Sequence, residues 1–269
     1  IRQPRGYGDA HSDANPNSDD WRVSEDTEMK ALATKWTEVP MSEPLDANMP
    51  IGRGMWQYAV KIDKLKARWC FDGSQQADVP DDIAAHVLRY ATARLLLIKG
   101  VHYGNECRVS DVSNAFLHHP CKRFYMRHPP GRGTPGTCMA FDYCLYGRRE
   151  APMGWLIEVE AFLQERGFVP SRSDPSHWIK KGARPDLDVD VGVFVDDFLM
   201  QGPTDELDEL ERSLSAKWPV KHMKDVSKPE NTYLGMNVSI DRDRRILEIS
   251  QTQSIQKFVM QQGLENARS

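Results

Sequence analysis

The clearest periodic signal in the chain runs from Asp186 to Met200, DLDVDVGVFVDDFLM. Every odd position from Leu187 to Val195 is aliphatic, the period-two pattern of a half-buried strand. The alternation breaks at Asp196-Asp197 and an apolar run resumes at Phe198-Leu199-Met200. The stretch therefore predicts strand, tight turn, strand, with two adjacent carboxylates at the bend. Asp186, Asp188 and Asp190 imitate the opening of a calcium loop. Val191 stands where that loop needs glycine, however, and Asp197 where it needs its closing glutamate. These three acids are expected on a wet sheet face or loop edge.

Helical spacing appears elsewhere. Pro80-Asp81-Asp82 predicts a helix start with an acidic first turn. Ile83, Val87, Ala91 and Leu95 recur every four residues, Leu88 and Ile98 widen the face, and Gly100 is read as the stop, so this face is expected in the core. Ala151-Pro152 opens a helix carrying Trp155, Leu156, Val159, Phe162 and Leu163, closed by Gly167. Thr204 is read as the cap of another with Leu207, Leu210 and Leu214 on one face, and Glu25 to Trp36 and Ser254 to Gly263 are shorter candidates. Strand-like stretches are WQYAVKI and ARWCF around a basic turn at Asp63-Lys64, Cys107 to Asp111, NTYLGMNVSI and RRILEIS. FYMRHPPG, from Phe124, reads as an edge strand entering a proline turn. Residues 1–24 are rich in Gly, Asp, Asn, Ser and Pro and are expected to be a disordered lead-in, with Trp21 as its one anchor. Helices and strands mix without strict alternation, which predicts an α+β fold. The Asp111 strand, the 152–167 helix, the Asp196-Asp197 hairpin and the 204–217 helix suit a split βαβ core.

Composition narrows the setting. A chain of 269 residues, 40% hydrophobic and 28% charged, suits one large domain or two small ones. Opening on Ile1, it is expected to be a fragment or processed piece. No apolar run approaches the roughly 20 residues needed to cross a bilayer. Five cysteines without a CxxC pair point to reduced thiols, not to a disulfide framework or zinc site. The net charge of −4 gives no global sign of nucleic acid. Locally, Arg53, Lys61, Lys64, Lys66 and Arg68 form one basic cluster and Lys122, Arg123, Arg127 and Arg132 another. Each is either an ordinary solvated face or a wall of a groove with an acidic floor.

Asp196 and Asp197 have two readings. Two like charges in apolar surroundings are costly unless a divalent cation neutralises them, whereas a solvated hairpin tip tolerates Asp freely. Asp111, at a strand end before the helical segment SNAFLHH, is either a cap or a ligand.

Three segments in order, DVSNAF from Asp111 to Phe116, LYGRREAPMGW from Leu145 to Trp155 and FVDD from Phe194 to Asp197, resemble the reverse transcriptase domain of copia-type LTR retrotransposons. KWTEVP, PIG, KAR, YMRHPPG, YLGMNV and SQ extend the resemblance over about residues 21 to 262. It implies a right-hand polymerase with a ferredoxin-like split βαβ palm: fingers over 25–106, palm with interleaved fingers elements over 107–238, and palm end with an incomplete thumb over 239–269. It also implies that Asp111 and Asp196 hold two Mg²⁺ ions, with Mn²⁺ as a substitute, supported by Asp197 and the carbonyl of Val112. Such a pair, about 3.5–4 Å apart, activates a primer hydroxyl and neutralises the leaving pyrophosphate.

Further residues inherit roles from the same likeness. Phe116 matches the aromatic that excludes a 2′ hydroxyl, Lys66 and Arg68 the phosphate contacts of the incoming nucleotide, and Trp155, Leu234, Gly235 and Met236 the primer and template contacts. The implied partners are an RNA or DNA template with primer and deoxynucleoside triphosphates, with ribonuclease H and integrase domains in a parent polyprotein. The implied location is inside the cell, in cytoplasmic retrotransposon particles or the nucleus, with no membrane. The chain departs from the family at Arg149-Glu150, where Lys-Gln is usual, at Met153, where a basic residue is usual, at Phe194, which replaces tyrosine, and at Trp69-Cys70-Phe71. Two rivals remain: a catalytically silent nucleic-acid-binding or structural remnant, and another palm-type nucleotidyl transferase such as a nucleotide cyclase. The latter leaves the LYG and YLGMNV segments without explanation.

Overall fold

The computed structural model describes residues 2–60, 64–76, 79, 81, 83–223, 226 and 232–264. The fold is α+β, in two compact units: residues 1–85 with 115–158, and residues 86–114 with 159–269.

In the first unit a four-stranded sheet runs in the order Trp36–Pro40, Thr137–Tyr143, Pro120–Met126, Ile51–Gly52, antiparallel except for the last pair. Beside it, Gly54–Val60 and Leu65–Phe71 form a separate two-stranded hairpin. Alternation puts Trp56, Tyr58, Ala67 and Trp69 into a core with Trp21, Leu32, Phe124, Met139 and Phe141. Gln57, Ala59, Lys66 and Arg68 take the other face. The edge strand expected at FYMRHPPG is interior instead. It is flanked on both sides, because Thr137–Tyr143, which lacks a clear alternating pattern, pairs with it.

The described part of the expected disordered lead-in is folded. Tyr7–Ala10 and Ser18–Leu32 are helices, and Ala10 and Trp21 are fully buried. Polar residues there find internal partners that composition could not show. His11 Nε2 lies 2.8 Å from the Glu25 carboxylate, and the Tyr58 hydroxyl donates to the same group at 2.6 Å.

The second unit is built on an antiparallel sheet ordered Val220–Met223, Glu106–Val112, Asp197–Gly202, Val189–Phe194, His177–Lys180, Val169–Pro170. Taken along the chain, its first four strands in that order are fourth, first, third and second. Helix Thr204–Lys217 buries Leu207, Leu210 and Leu214. Helix Tyr90–Tyr103 packs Ala93, Leu96 and Leu97 into a core with Cys107, Val109 and Leu199. A small sheet of Thr232–Tyr233, Met236–Asp241 and Ile246–Ser250 completes the unit. The division expected near residue 106 therefore falls inside this unit.

The helix expected from residue 80 begins only at Tyr90; residues 80 and 82 lie outside the described residues, and 83–89 are not helical. Its start is set from a distance. The Asp174 carboxylate accepts the Arg89 N–H at 3.1 Å and the Thr92 hydroxyl at 2.6 Å, while the Leu88 N–H donates to Val193 O. The buried face is accordingly rotated, and Leu95 and Ile98 are 55% and 54% exposed. Gly100 does not end the helix. A Cβ there would lie 2.4 Å from Cys107 Sγ, so glycine permits close packing on the strand, and Gly104 (φ 73°) closes the helix instead.

Asp188 and Asp190 are not on a wet face either. Both are buried: Lys99 Nζ lies 2.5 Å from Asp190 and 3.3 Å from Asp188, and His177 Nε2 lies 2.7 Å from Asp190. Burial works to raise the Asp190 carboxyl, but His177 and Lys99 hold it below its ordinary value. Among the described residues no helix is long and apolar enough to cross a membrane.

Candidate active site

The aliphatic alternation does form the expected hairpin. Val189–Phe194 and Asp197–Gly202 pair antiparallel, closed by Phe194 opposite Asp197, so Val195 and Asp196 are the two residues of the turn. Val195 sits at φ 57°, in the left-handed region. A β-branched residue there costs on the order of 1–3 kcal/mol and persists where surrounding structure imposes it. The constraint is visible: Asp196 O accepts the Val112 N–H at 2.9 Å, tying the turn to the end of the neighbouring strand.

That neighbour carries Asp111. In the antiparallel register Asp111 lies directly opposite Asp197, so both side chains leave the same face of the sheet. Lys221 faces Asp111 from the other adjacent strand. Burial, and then the charges of Asp196 and Asp111, push the Asp197 carboxyl up to about 7. Residues distant in sequence are thus brought into electrostatic contact, with negative charge on negative charge. Nearby, the Tyr233 hydroxyl is buried without a hydrogen-bond partner among the described residues. Its ionisation is pushed up by burial and then by Asp197.

Among the described residues no group of three or more His, Cys, Asp or Glu side chains is arranged to hold one metal ion. The chemistry of the donors still suits a hard divalent cation: acidic oxygens, mutually repelling, on a strand end and a strained turn tied by one hydrogen bond. Asp111, Asp196 and Asp197 are the side chains that would hold it, and Val112 is fixed beside them.

The Leu234-Gly235 pair forms a second strained turn. Both residues have positive φ, 49° and 75°, between the paired Tyr233 and Met236, as a two-residue hairpin turn of the mirror-image kind requires. Its carbonyls are held from outside: Leu234 O accepts the Tyr90 hydroxyl at 3.1 Å and Gly235 O the Ser254 hydroxyl at 2.9 Å. Met236, expected at the primer, is fully buried in the core.

In the first unit, Lys66 and Arg68 share a cavity of about 140 Å³ with Gln57, Tyr58 and Ala59. The Arg68 guanidinium stacks 4.6 Å over the Tyr146 ring, and that ring meets Phe116 edge-on at 5.3 Å. Tyr146, the tyrosine of LYG, thus bridges two candidate nucleotide contacts that the motif spacing alone does not connect. Trp155 does not present a surface for a nucleic acid strand: it is 2% exposed, with its ring near His118. Of the two basic clusters, Arg123 is paired with Asp142 and Glu43 and Arg132 with Asp26, so much of the second is internal ion pairing. Lys61 lies outside the described residues.

The family described as reverse transcriptase (RNA-dependent DNA polymerase) matches residues 35–269. The chain belongs to that family. Retrovirus-related Pol polyproteins are similar to this reverse transcriptase domain. That from transposon TNT 1-94 of Nicotiana tabacum is 27% identical over 215 residues, 77% of this chain and 16% of the relative. That from transposon RE1 of Arabidopsis thaliana is 30% identical over 216 residues, 73% and 14%. The domain thus spans about a seventh of the length of the relatives it matches. The resemblance to copia-type reverse transcriptases carried by the ordered motifs is upheld by these matches.

Proposed function

We propose that this reverse transcriptase domain adds deoxynucleotides to a primer on an RNA or DNA template, using Asp111, Asp196 and Asp197 as the acidic centre. The observation that carries the proposal is the opposition of Asp111 and Asp197 in one ladder, with Asp196 in the strained turn beside them. The strand Glu106–Val112, helix Ala151–Glu165, hairpin Val189–Phe194 and Asp197–Gly202, helix Thr204–Lys217 and strand Val220–Met223 follow in that order, with two further strands before and two after the first helix. This succession and the fourth-first-third-second order of these four strands support a ferredoxin-like palm. In this reading the first unit supplies fingers and the second the palm.

Two Mg²⁺ or Mn²⁺ ions, when bound, lower the charge on the reacting oxygens and orient them. Asp111 and Asp196 would hold them through carboxylate oxygens. Asp197 would take part as its proton is lost, since two opposed acids cannot both ionise cheaply without a cation. Lys66 and Arg68 would take the triphosphate, with the Arg68 guanidinium held over the Tyr146 ring. Phe116, edge-on against that ring, would close the space a 2′ hydroxyl needs. The Leu234-Gly235 turn, pinned at both carbonyls, would support the primer end.

We further propose that the domain works within a polyprotein carrying ribonuclease H and integrase, in cytoplasmic particles or the nucleus. Primer extension with Mg²⁺ on an RNA template tests the central reading. The intact chain should extend the primer and Asp196→Asn should not; equal extension by both ends the proposal. Failure of the intact chain to extend at all favours a silent remnant.

A further inference from the structure

Among the described residues the hairpin that bears Lys66 and Arg68 has two strands, and no other described strand pairs with the outer edge of Leu65–Phe71. Unpaired edge groups normally face water or invite a partner. Here four of these groups are satisfied by other means. The Ser24 hydroxyl donates to Leu65 O at 3.2 Å and accepts the Ala67 N–H at 2.7 Å. The Glu28 carboxylate accepts the Trp69 N–H at 3.3 Å, and Tyr146 O accepts the Phe71 N–H at 2.7 Å.

Ser24 and Glu28 lie four residues apart on helix Ser18–Leu32 and therefore on one face. The same helix presses Trp21 edge-on against Tyr58 at 5.1 Å and places Glu25 on the Tyr58 hydroxyl. Burial raises the Glu28 carboxyl, while the Trp69 N–H and the charges of Arg68 and Lys66 draw it down. The carboxylate is thus in electrostatic reach of both cations. All of these residues belong to the first unit, and the helix precedes the family-matched residues, which begin at 35.

We propose that helix Ser18–Leu32 serves as a third strand in effigy: Ser24 and Glu28 are positioning residues that lock the register and twist of the hairpin and so hold Lys66 and Arg68 ready for nucleotide phosphates. The proposal rests on the nucleotide-binding reading of that hairpin. A helix that splints the edge removes the freedom of the strand to slip or fray, and a one-residue slip would carry both cations to the opposite face. Tyr146 closes the same row and stacks Arg68, so backbone register and guanidinium orientation are set together.

The test uses the full chain with Ser24→Ala, Glu28→Leu and Glu28→Gln, read by amide hydrogen exchange, by direct binding of dTTP and by Mn²⁺ binding. In Ser24→Ala and Glu28→Leu, exchange across residues 65–71 should rise at least about tenfold while that of Glu106–Val112 stays unchanged. Affinity for dTTP should fall about fivefold and Mn²⁺ affinity should hold. Glu28→Gln, which keeps an acceptor for Trp69, should restore both readouts. Unchanged exchange overturns the splint, and raised exchange with unchanged dTTP affinity overturns its link to the nucleotide. If the intact chain binds dTTP but does not polymerise, the catalytic reading fails while the splint stands. An intact chain that binds no dTTP overturns the positioning role.

Discussion

Asp111 and Asp197 stand directly opposite one another on adjacent antiparallel strands, in the ladder that ends with Glu106 opposite Gly202. The Asp197 carboxyl is pushed up to about 7, so between its ordinary value of 3.8 and about 7 the folded chain binds a proton that the unfolded chain releases. The resulting stabilisation is present at low pH and lost as pH rises through about 7. Asp197→Asn should therefore be more stable than the intact chain without metal, by a margin that widens from pH 4 to 7 and levels off above. Urea denaturation across pH checks it; a margin independent of pH contradicts it.

Val195 holds its turn at a cost. Replacing it with glycine removes the penalty for the left-handed conformation, but also frees the unfolded chain, so a net gain of about 1 kcal/mol is expected. The same freedom should loosen Asp196 and lower primer extension. Thermal denaturation and extension assays on Val195→Gly should move in opposite directions.

The contacts of Tyr146 with Arg68 and Phe116 predict two separable phenotypes. Tyr146→Ala should raise KM for deoxynucleotides about tenfold by releasing the Arg68 guanidinium, whereas Phe116→Val should admit ribonucleotides. Steady-state kinetics with both sugars separate the two. Unchanged sugar discrimination in Phe116→Val would return Phe116 to a packing role.

The Lys99, Asp188, Asp190 and His177 network predicts a stability effect away from the site. Lys99→Met leaves two buried carboxylates without their shared cation and should cost about 3–5 kcal/mol, whereas Asp186→Asn, at an exposed pair with Arg184, should cost under about 1 kcal/mol. Because the Asp190 carboxyl is held below 3.8, its contribution is full above that value and is lost as pH falls through its lower folded value. Denaturation of Lys99→Met at pH 7 and near pH 3 should show a smaller deficit at the lower pH.

The carboxylate hairpin was legible because alternation, a break and two acids fall within fifteen residues, and the helices at Ala151 and Thr204 because their apolar faces are local patterns. What escaped depends on partners far along the chain. Asp174 decides where the Tyr90 helix begins, Lys99 neutralises acids that composition makes look solvent-exposed, and Glu25 gains burial only through His11 and Tyr58. Met236 and Trp155 carry the motif letters of nucleic-acid contacts, yet packing takes both into the interior. Residue type fixed neither outcome.

Acids from two neighbouring strands, Asp111 and the Asp196-Asp197 pair, would share a divalent cation. Titration of Mn²⁺ into the intact chain, followed by electron paramagnetic resonance and by proton release at pH 7, measures that directly. Saturable binding with release of a proton is expected, lost in Asp111→Asn and Asp196→Asn and without proton release in Asp197→Asn. Binding of equal strength in the intact chain and all three variants would contradict it.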